Sequence, residues 1–321
     1  MAKDSAVLKS LRDQKGQFVS GEEISKKLKV SRSAVWKEIQ VLKNLGYEIG
    51  AGPHLGYRLL GIPDRMLPDE LSAGIKTKFI GRQIISYEET RSTNDAVFHL
   101  GEEGLKEGVC VFAEHQTQGR GRLGRAWVSP KYKNILFSVL LRPDLSPAGV
   151  SKVTLMAAVS VVKTLRLLTG RRFHIKWPND VLFHEKKLCG ILTEMSSEPD
   201  RVNFIVVGIG INVNADPGEL VKGATSLKEI TGTWQSRIEI SQTLLETFES
   251  DYLQLKKGEF EALAKKWEEF SSTSGKRVTA TVLGRKIHGT AVGIDKEGAL
   301  WIRTDSGLQE KILAGDVQHE K

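Results

Sequence analysis

The sequence predicts an α+β protein of several domains: an N-terminal winged helix-turn-helix, a central domain built on a mixed sheet, and a small C-terminal β-barrel. Three observations support this prediction. The chain has 321 residues, enough for two or three separate cores. Its first part has helical periodicity, whereas its last part consists of short strands separated by glycines. Between them, strands follow one another over short turns, which favours an antiparallel or mixed sheet.

The N-terminal domain is predicted to span residues 1–62. Asp4 is a candidate cap for a first helix, and a second helix fits Gly21–Leu28. Ser31 is expected to cap a third helix. The apolar residues of that helix repeat at the spacing of one buried face: Val35, Ile39 and Leu42. This order of helices predicts a helix-turn-helix.

The same N-terminal domain is predicted to contain a wing, and its sequence has a surplus of positive charge. Strands at Tyr47–Ile49 and Tyr57–Leu60 would flank the glycine-containing turn of a wing. Residues 1–60 hold 11 Lys and Arg against 6 Asp and Glu, so the basic excess of the chain is concentrated here. We expect the start of the third helix to face DNA, through Ser31, Arg32, Ser33 and Lys37. The alternative is a basic helical domain that contacts proteins.

The central domain is predicted to span residues 67–270, after a linker with the sequence GIPDRMLPDEL. Its predicted strands are Val109–His115, Asn134–Leu141, Phe173–Trp177, Leu188–Met195 and Phe204–Ile211. Its predicted helices lie near Asn94–Leu100, Gly149–Leu168 and Ile240–Phe270. Residues 274–319 are then expected to form a small barrel of about five strands.

Composition limits the class of protein. A net charge of +8 favours an anionic partner, either nucleic acid or phosphorylated small molecules. Cys110 and Cys189 lie in apolar runs, which indicates buried thiols in a reducing compartment, and no zinc-ligand spacing is found. The longest apolar run, Val153–Val162, is too short to cross a bilayer. We therefore expect a soluble, cytoplasmic protein without a membrane partner.

A glycine-rich segment, EHQTQGRGRLGRAWVS, carries the spacing G-x-G-x-x-G of a dinucleotide-binding turn. That turn must open a helix, yet no helical period follows Gly124 before Pro130. Three arginines, Arg120, Arg122 and Arg125, lie where a dinucleotide turn uses backbone amides alone. The segment therefore predicts another use of an arginine-bearing glycine loop.

Four motifs share one chemical character. They are SerThrAsn at residues 92–94, the glycine loop at 119–125, KWPND at 176–180 and KLCGIL at 187–192. Their residues are cationic donors, neutral polar groups and glycines, without the order of a Ser-His-Asp triad or a metal cluster. This suits the adenylation of a carboxylic acid by ATP, in which two anions must be held together.

In these motifs, together with the N-terminal helix-turn-helix and the C-terminal barrel, the chain resembles the bifunctional biotin protein ligases that also act as biotin operon repressors. The resemblance implies a central catalytic domain of the biotin/lipoate ligase type and an SH3-like C-terminal barrel. It implies that biotin, as substrate, and ATP with Mg²⁺ give biotinyl-5′-AMP. Biotin then passes to a lysine of the biotin carboxyl carrier protein domain of acetyl-CoA carboxylase or a related enzyme. Ligand-promoted homodimers would bind operator DNA.

The resemblance also implies roles for individual residues. The biotin head would contact Ser92, Thr93, Asn94 and Gln116. The loop over biotin and phosphate would be formed by Gly119, Arg120, Gly121 and Arg122, with no dedicated metal site in the protein. Lys187 would lie beside the carboxylate and α-phosphate, and Asn212 near the nucleotide. Arg122, Lys187, Asp180 and Lys176 are the candidates for catalysis.

Simpler structural roles remain open for several of these residues. Ser92 could cap a helix together with Asp95. Arg125 could brace the loop instead of binding ligand, and Trp127, like Trp177, could be a pocket wall. Asp180 could be the base that deprotonates the acceptor lysine or an Asx-turn residue.

Two other functions compete with the biotin ligase. A lipoate or octanoate ligase uses similar chemistry, although GRGRLGRAW and the two flanking domains argue against it. A repressor that senses a ligand without turnover is the second alternative. The basic residues of the four motifs, including Lys176 and Lys187, favour a working enzyme.

Overall fold

The computed structural model describes residues 5–282 and 284–320. The chain divides into two compact units, Met1–Glu70 and Leu71–Lys321. Asp4, the candidate cap of the first helix, lies outside the described residues. The predicted boundary between residues 67–270 and 274–319 falls within the second unit and stays a prediction.

The first unit contains three helices and a hairpin in the predicted order. They are α1 (Ala6–Asp13), α2 (Gly21–Leu28), α3 (Arg32–Asn44), β1 (Glu48–Gly52) and β2 (Gly56–Gly61). Each helix begins after a serine whose hydroxyl accepts a backbone N–H, and these serines are Ser5, Ser20 and Ser31. The apolar faces of the helices pack on one another and on the hairpin, which fixes the start of α3 beside the wing.

Part of the predicted linker is helical, which corrects that prediction. Residues Pro68–Ser72 form α4. Within the first unit, Glu70 is buried and accepts hydrogen bonds from the side chains of Tyr47 and Arg12. Burial and the hydrogen bond to Glu70 both raise the pKa of Tyr47 above its ordinary range. These contacts tie the end of the predicted linker to the first unit.

The second unit is built on a seven-stranded sheet. Its strands are β3 (Ile84–Tyr87), β4 (Cys110–Ala113), β5 (Ile135–Leu141), β6 (His174–Lys176), β7 (Asp180–Phe183), β8 (Lys186–Ser197) and β9 (Val202–Ile211). Their order is β3-β4-β5-β9-β8-β7-β6, and within this sheet β3 and β4 are parallel while the other neighbours are antiparallel. The predicted mixed sheet is confirmed, although the sequence did not indicate β3 or β7.

The second unit also contains α-helices. They are α5 (Thr93–Glu102), α6 (Val150–Thr169), α7 (Leu227–Thr231), α8 (Arg237–Lys256) and α9 (Phe260–Phe270). The single helix predicted over Ile240–Phe270 is wrong: the chain breaks at Gly258, which has a φ of 81°. Helix α6 packs against α8, α9 and β8.

The length of α6 corrects a second expectation. With the turn before it, the helical segment Pro147–Thr169 has 23 residues and is long and apolar enough to pass as a membrane span by length and composition. The expectation that no apolar segment is long enough to cross a bilayer rested on Val153–Val162 alone. However, 67% of the apolar window is buried inside the protein, which is the arrangement of a core helix.

The C-terminal part of the second unit is a five-stranded antiparallel sheet. Its strands are β10 (Arg277–Val282), β11 (Arg285–Ile294), β12 (Leu300–Thr304), β13 (Gln309–Ile312) and β14 (Asp316–His319). The order is β13-β12-β11-β10-β14, so β14 returns to pair with β10. This pairing brings the beginning of β14 to the edge of a cleft in the same unit.

Candidate functional site

A cleft opens on the face of the mixed sheet beside the glycine loop. Most of the residues singled out from the sequence line it. They are Ser92, Thr93, Asn94, Gln116, Arg120, Gly121, Arg122, Arg125, Trp127, Lys176, Asp180 and Lys187. Two other candidates are not in its wall. Gly119 accepts a backbone hydrogen bond from Trp127, and Asn212 is buried against Asn134.

The floor of the cleft is formed by glycines that face each other across β8 and β9. Gly190 pairs with Gly210, and Gly208 lies opposite Leu192. A Cβ on Gly208 would lie 2.1 Å from Asn94 Oδ1, and one on Gly210 would lie 2.6 Å from the Trp127 ring. Only glycine therefore leaves room for Asn94 and Trp127 to lie directly on the sheet.

One end of the cleft is neutral and polar. The backbone N–H and hydroxyl of Thr93 donate to Gln116 Oε1 at 2.7 and 3.0 Å. The Ser138 hydroxyl lies 2.7 Å from Thr93 Oγ1 and 2.6 Å from Asn94 Oδ1. Ser92 stands at the N-cap of α5 but makes no side-chain cap hydrogen bond, so the alternative role in a capping box finds no support. The buried Ser92 side chain contributes to the cleft wall instead.

The glycine loop forms a short hairpin over the other end. Arg120 and Ala126 form a bridge, and Gly121 N donates to Arg125 O at 2.7 Å. The tip is a single 3-10 turn, Arg122–Gly124, with Leu123 at a φ of 56°. No α-helix begins at this turn, in agreement with the rejection of a dinucleotide-binding site.

Arg122 reaches into the cleft from this tip. Its Nη1 atom is buried and has no hydrogen-bond partner among residues 5–282 and 284–320. Burial lowers the pKa of Arg122, although the nearby charges of Asp316 and Asp180 partly oppose that shift. A buried guanidinium N–H without an acceptor is costly, and a phosphate or carboxylate oxygen would satisfy it.

The other two loop arginines already have carboxylate partners. Arg120 Nη2 lies 2.6 Å from Asp95 Oδ1 and 2.9 Å from Glu194 Oε1. Arg125 pairs with Asp316 at the beginning of β14. Arg125 thus contacts both the cleft and the C-terminal sheet, a geometry that fits the alternative role of a brace.

Lys187 and Asp180 form an ion pair in the wall, with Lys187 Nζ 2.7 Å from Asp180 Oδ1. The Lys187 ammonium also lies 5.7 Å from the centre of the Trp127 ring. Asp180 is the first residue of β7, so it follows the bend at residues 177–179. Lys176 lines the same cleft from the end of β6, while Trp177 is a buried wall residue.

The sequence missed several residues that build this site. Ser138 and Glu194 hold Asn94 by hydrogen bonds, and Asp316 and Gln318 close the cleft from β14. Alternating glycines in GIGIN and the glycine of KLCGIL were a signal for the floor. Ser138 lies in an apolar strand without any such signal. Over residues 5–282 and 284–320, no group of three or more His, Cys, Asp and Glu side chains is arranged to hold a metal ion.

The first unit has a second candidate surface, a groove between the start of α3 and the wing. Arg32 and Ser33 line it, and Lys37 is exposed on the same helix. The Ser31 hydroxyl caps α3 by accepting from Ala34 N and lies 2.8 Å from Ser33 Oγ. Two further groove residues were not predicted from the sequence: Trp36, whose side chain is 54% exposed, and His54 in the wing.

Three segments of the chain match known families. Residues 86–212 match the biotin/lipoate A/B protein ligase family, and residues 273–320 match the biotin protein ligase C-terminal domain. Residues 4–58 match a helix-turn-helix domain. The matched segments contain the cleft, the β14 wall and the groove beside α3.

Curated relatives match over most of the chain. The chain is 38% identical to the bifunctional ligase/repressor BirA of Bacillus subtilis, over 94% of both chains. It is 30% identical to BirA of Escherichia coli, over 94% of this chain and 93% of the other. A biotin protein ligase from Aquifex aeolicus, solved with biotin and ATP, superposes with a TM-score of 0.65 at 33% identity, covering 74% of this chain and 100% of that one. The chain therefore belongs to the biotin protein ligase family, among its bifunctional ligase/repressor members.

Proposed function

We propose that this protein is an ATP-dependent biotin protein ligase that also represses biotin synthesis genes. The enzymatic half of this proposal rests on the composition of one cleft. It joins a neutral polar end and an aromatic wall to a cluster of cationic side chains. Among these, Arg122 has a buried N–H without a partner in the part of the chain that the structure describes. An uncharged ring system with a carboxylate tail, together with a nucleotide phosphate, matches both ends.

In the proposed complex, the ureido ring of biotin occupies the polar end. Ser92, Thr93, Asn94 and Gln116 supply hydrogen-bonding groups there. Trp127 supplies an apolar wall, and the glycine floor lets the bicyclic ring lie close to the backbone of β8 and β9. The valerate tail then leads its carboxylate toward Lys187 and Arg122.

Adenylation joins that carboxylate to ATP. A carboxylate oxygen forms a bond to the α-phosphorus, the bond from that phosphorus to the bridging oxygen breaks, and pyrophosphate leaves. Arg122 and Lys187 are assigned to hold the two reacting anions together, because both reach the same cleft. Mg²⁺ arrives with the ATP phosphates and reduces their charge; no residue of the chain is assigned to it.

Transfer then consumes the adenylate. The amine of a carrier-protein lysine attacks the acyl carbon, an amide bond forms, and the bond to AMP breaks. Asp180 lies 2.7 Å from Lys187, so it can accept the proton of the amine or hold Lys187 in place. Lys176 contributes positive charge at the same wall. Both assignments are parts of the proposal.

Regulation extends the proposal to the first unit. Arg32, Ser33 and Lys37 are exposed at the start of α3, with Ser31 as its cap, and are assigned to operator DNA. Formation of the adenylate would favour a homodimer that presents two such units to a palindromic site. The cytoplasm, where ATP and the carrier protein meet, is the proposed location.

Exchange of labelled pyrophosphate into ATP tests the enzymatic part. We expect biotin-dependent exchange in the wild type and about a hundredfold slower exchange in Arg122→Ala, as for the loss of a preorganised charged donor. Arg171→Ala, at an exposed position outside the cleft, is the matched control. Exchange with lipoate or octanoate instead of biotin would favour the alternative ligase. No exchange with any of these acids would favour a ligand-sensing repressor.

Sedimentation and DNA binding test the regulatory part. We expect biotin with MgATP to strengthen self-association, and Arg32→Ala to weaken binding to the promoter DNA of biotin synthesis genes by about tenfold or more. Lys9→Ala, exposed on α1, is the control for a lost positive charge. An association constant that biotin and MgATP leave unchanged would refute the coupling between ligand and dimer.

A further inference from the structure

Glu194 connects the two ends of the cleft. It lies on β8, opposite Val206, with its side chain 29% exposed. Its Oε2 atom accepts a hydrogen bond from Asn94 Nδ2 at 2.5 Å, and its Oε1 atom lies 2.9 Å from Arg120 Nη2. One carboxylate therefore contacts a residue of the polar end and a residue of the glycine loop.

On the polar side, Glu194 completes a set of contacts that fixes the Asn94 amide. The Asn94 oxygen lies 2.6 Å from the Ser138 hydroxyl, and its nitrogen also donates to Leu192 O at 3.3 Å. Gly208 closes the floor beneath the amide, since even a Cβ there would collide with it. With an acceptor on one side of Asn94 and a hydroxyl on the other, only one orientation of the amide is satisfied.

On the loop side, Glu194 shares Arg120 with Asp95. The hydrogen bonds from Arg120 to Asp95 and Glu194 raise the pKa of Arg120 despite its partial burial. Arg120 is also held through its backbone, by the bridge to Ala126. The stem of the loop is thus anchored two residues before Arg122, whose buried N–H has no partner within the described residues.

We propose that Glu194 is a positioning residue for adenylation, because it links the orientation of Asn94 to the placement of Arg120 and so of Arg122. This inference rests on the proposed ligase function. The charge of Glu194 is otherwise unfavourable, since a carboxylate beside a cleft for two anions repels them. Its pairing with Arg120 offsets that repulsion, so that Arg122, whose buried Nη1 lacks a partner among the described residues, is free to meet the substrates.

Glu194→Gln tests the inference. The amide keeps the size of the side chain, but its NH₂ group must face a donor on either Asn94 or Arg120. Pyrophosphate exchange would be measured as a function of biotin and ATP for the wild type, Glu194→Gln, Arg120→Ala and the double variant. Glu198→Gln, exposed on the hairpin between β8 and β9, is the matched control. Thermal unfolding of each protein ensures that rates are compared in the folded state.

The expected result is a KM for biotin about tenfold higher in Glu194→Gln, as for loss of one charge-assisted hydrogen bond, with a lower kcat because Arg122 is less well held. In the Arg120→Ala background, the same substitution should lower kcat much less, since its action on the loop passes through Arg120. Unchanged kinetics in folded Glu194→Gln, or equal losses of kcat in both backgrounds, would overturn the inference. Wild-type protein without biotin-dependent exchange would overturn the ligase function itself.

Discussion

Gly208→Ala is the sharpest test of how the floor shapes the cleft. The added Cβ would lie 2.1 Å from Asn94 Oδ1 and 2.9 Å from Asn94 Cγ, both shorter than van der Waals contact. The amide cannot move freely, because it is hydrogen-bonded to Ser138 and Glu194. Gly208 lies in the interior of β9, where alanine is compatible with the extended backbone. The perturbation therefore acts on Asn94 and not on the backbone.

The magnitude follows from the contacts that are lost. Overpacking of this kind costs about 1–3 kcal/mol of the free energy of unfolding. Displacing Asn94 also breaks hydrogen bonds worth about 0.5–1.5 kcal/mol each. If the loss of one of these hydrogen bonds weakens biotin binding by its full free energy, the KM for biotin rises on the order of tenfold, since about 1.4 kcal/mol corresponds to a factor of ten.

The assay is biotin-dependent pyrophosphate exchange together with denaturant unfolding. Gly218→Ala is the control, because a Cβ at Gly218 would meet no described atom within 4 Å apart from its own neighbours in the chain. We expect the control to behave as the wild type in both measurements. A Gly208→Ala protein with the wild-type KM for biotin would show that Asn94 does not contribute to biotin binding, whatever happens to stability.

Two further predictions concern the carboxylates of two ion pairs, Asp316 at the cleft and Glu107 away from it. Asp316→Asn removes the partner of Arg125, so we expect the KM for ATP to rise several-fold and the free energy of unfolding to change by less than about 1 kcal/mol. Asp305→Asn is the control, because it loses a pair with Arg277 away from the cleft and should leave the KM unchanged. Equal KM values for both variants would argue against the brace. Burial alone would raise the pKa of Glu107, but hydrogen bonds from Lys256 and Tyr252 hold it below its ordinary value of 4.5. Glu107→Gln should therefore destabilise the fold at pH 7. The difference in unfolding free energy between wild type and variant should disappear as the pH falls through the folded-state pKa of Glu107, which lies below 4.5. A difference that is independent of pH would contradict this assignment.

The helices of the first unit were predictable because their signals are local. Gly21–Leu28 has the predicted bounds, and Ser31 caps α3 as expected. The helical end of the predicted linker was not predictable, since Glu70 is held by Tyr47 and Arg12, which are distant in sequence. The break between α8 and α9 depends on Gly258, whose left-handed conformation a periodicity of apolar residues does not reveal.

In the candidate site, too, residues with a local sequence signal were predictable, whereas residues brought together by strand pairing were not. Arginine, lysine and glycine motifs identified the cationic wall of the cleft directly from the sequence. Ser138 and Glu194 escaped notice because their role arises from strand register, which sets Ser138 opposite Gly208 and Gly208 opposite Leu192, two residues before Glu194. Register is a property of paired strands, and a single strand read alone contains no information about its neighbours.

The strand β14 is only four residues long and is paired on one side, with β10, yet it supplies part of the cleft wall. Short edge strands fray at lower free energies than the cores to which they belong. On warming, catalysis should therefore fail before the helices melt, as this edge opens and the wall is lost. A nucleotide that contacts the wall would slow amide hydrogen exchange in β14, so that occupancy of the cleft and order at this distant end of the chain are thermodynamically linked.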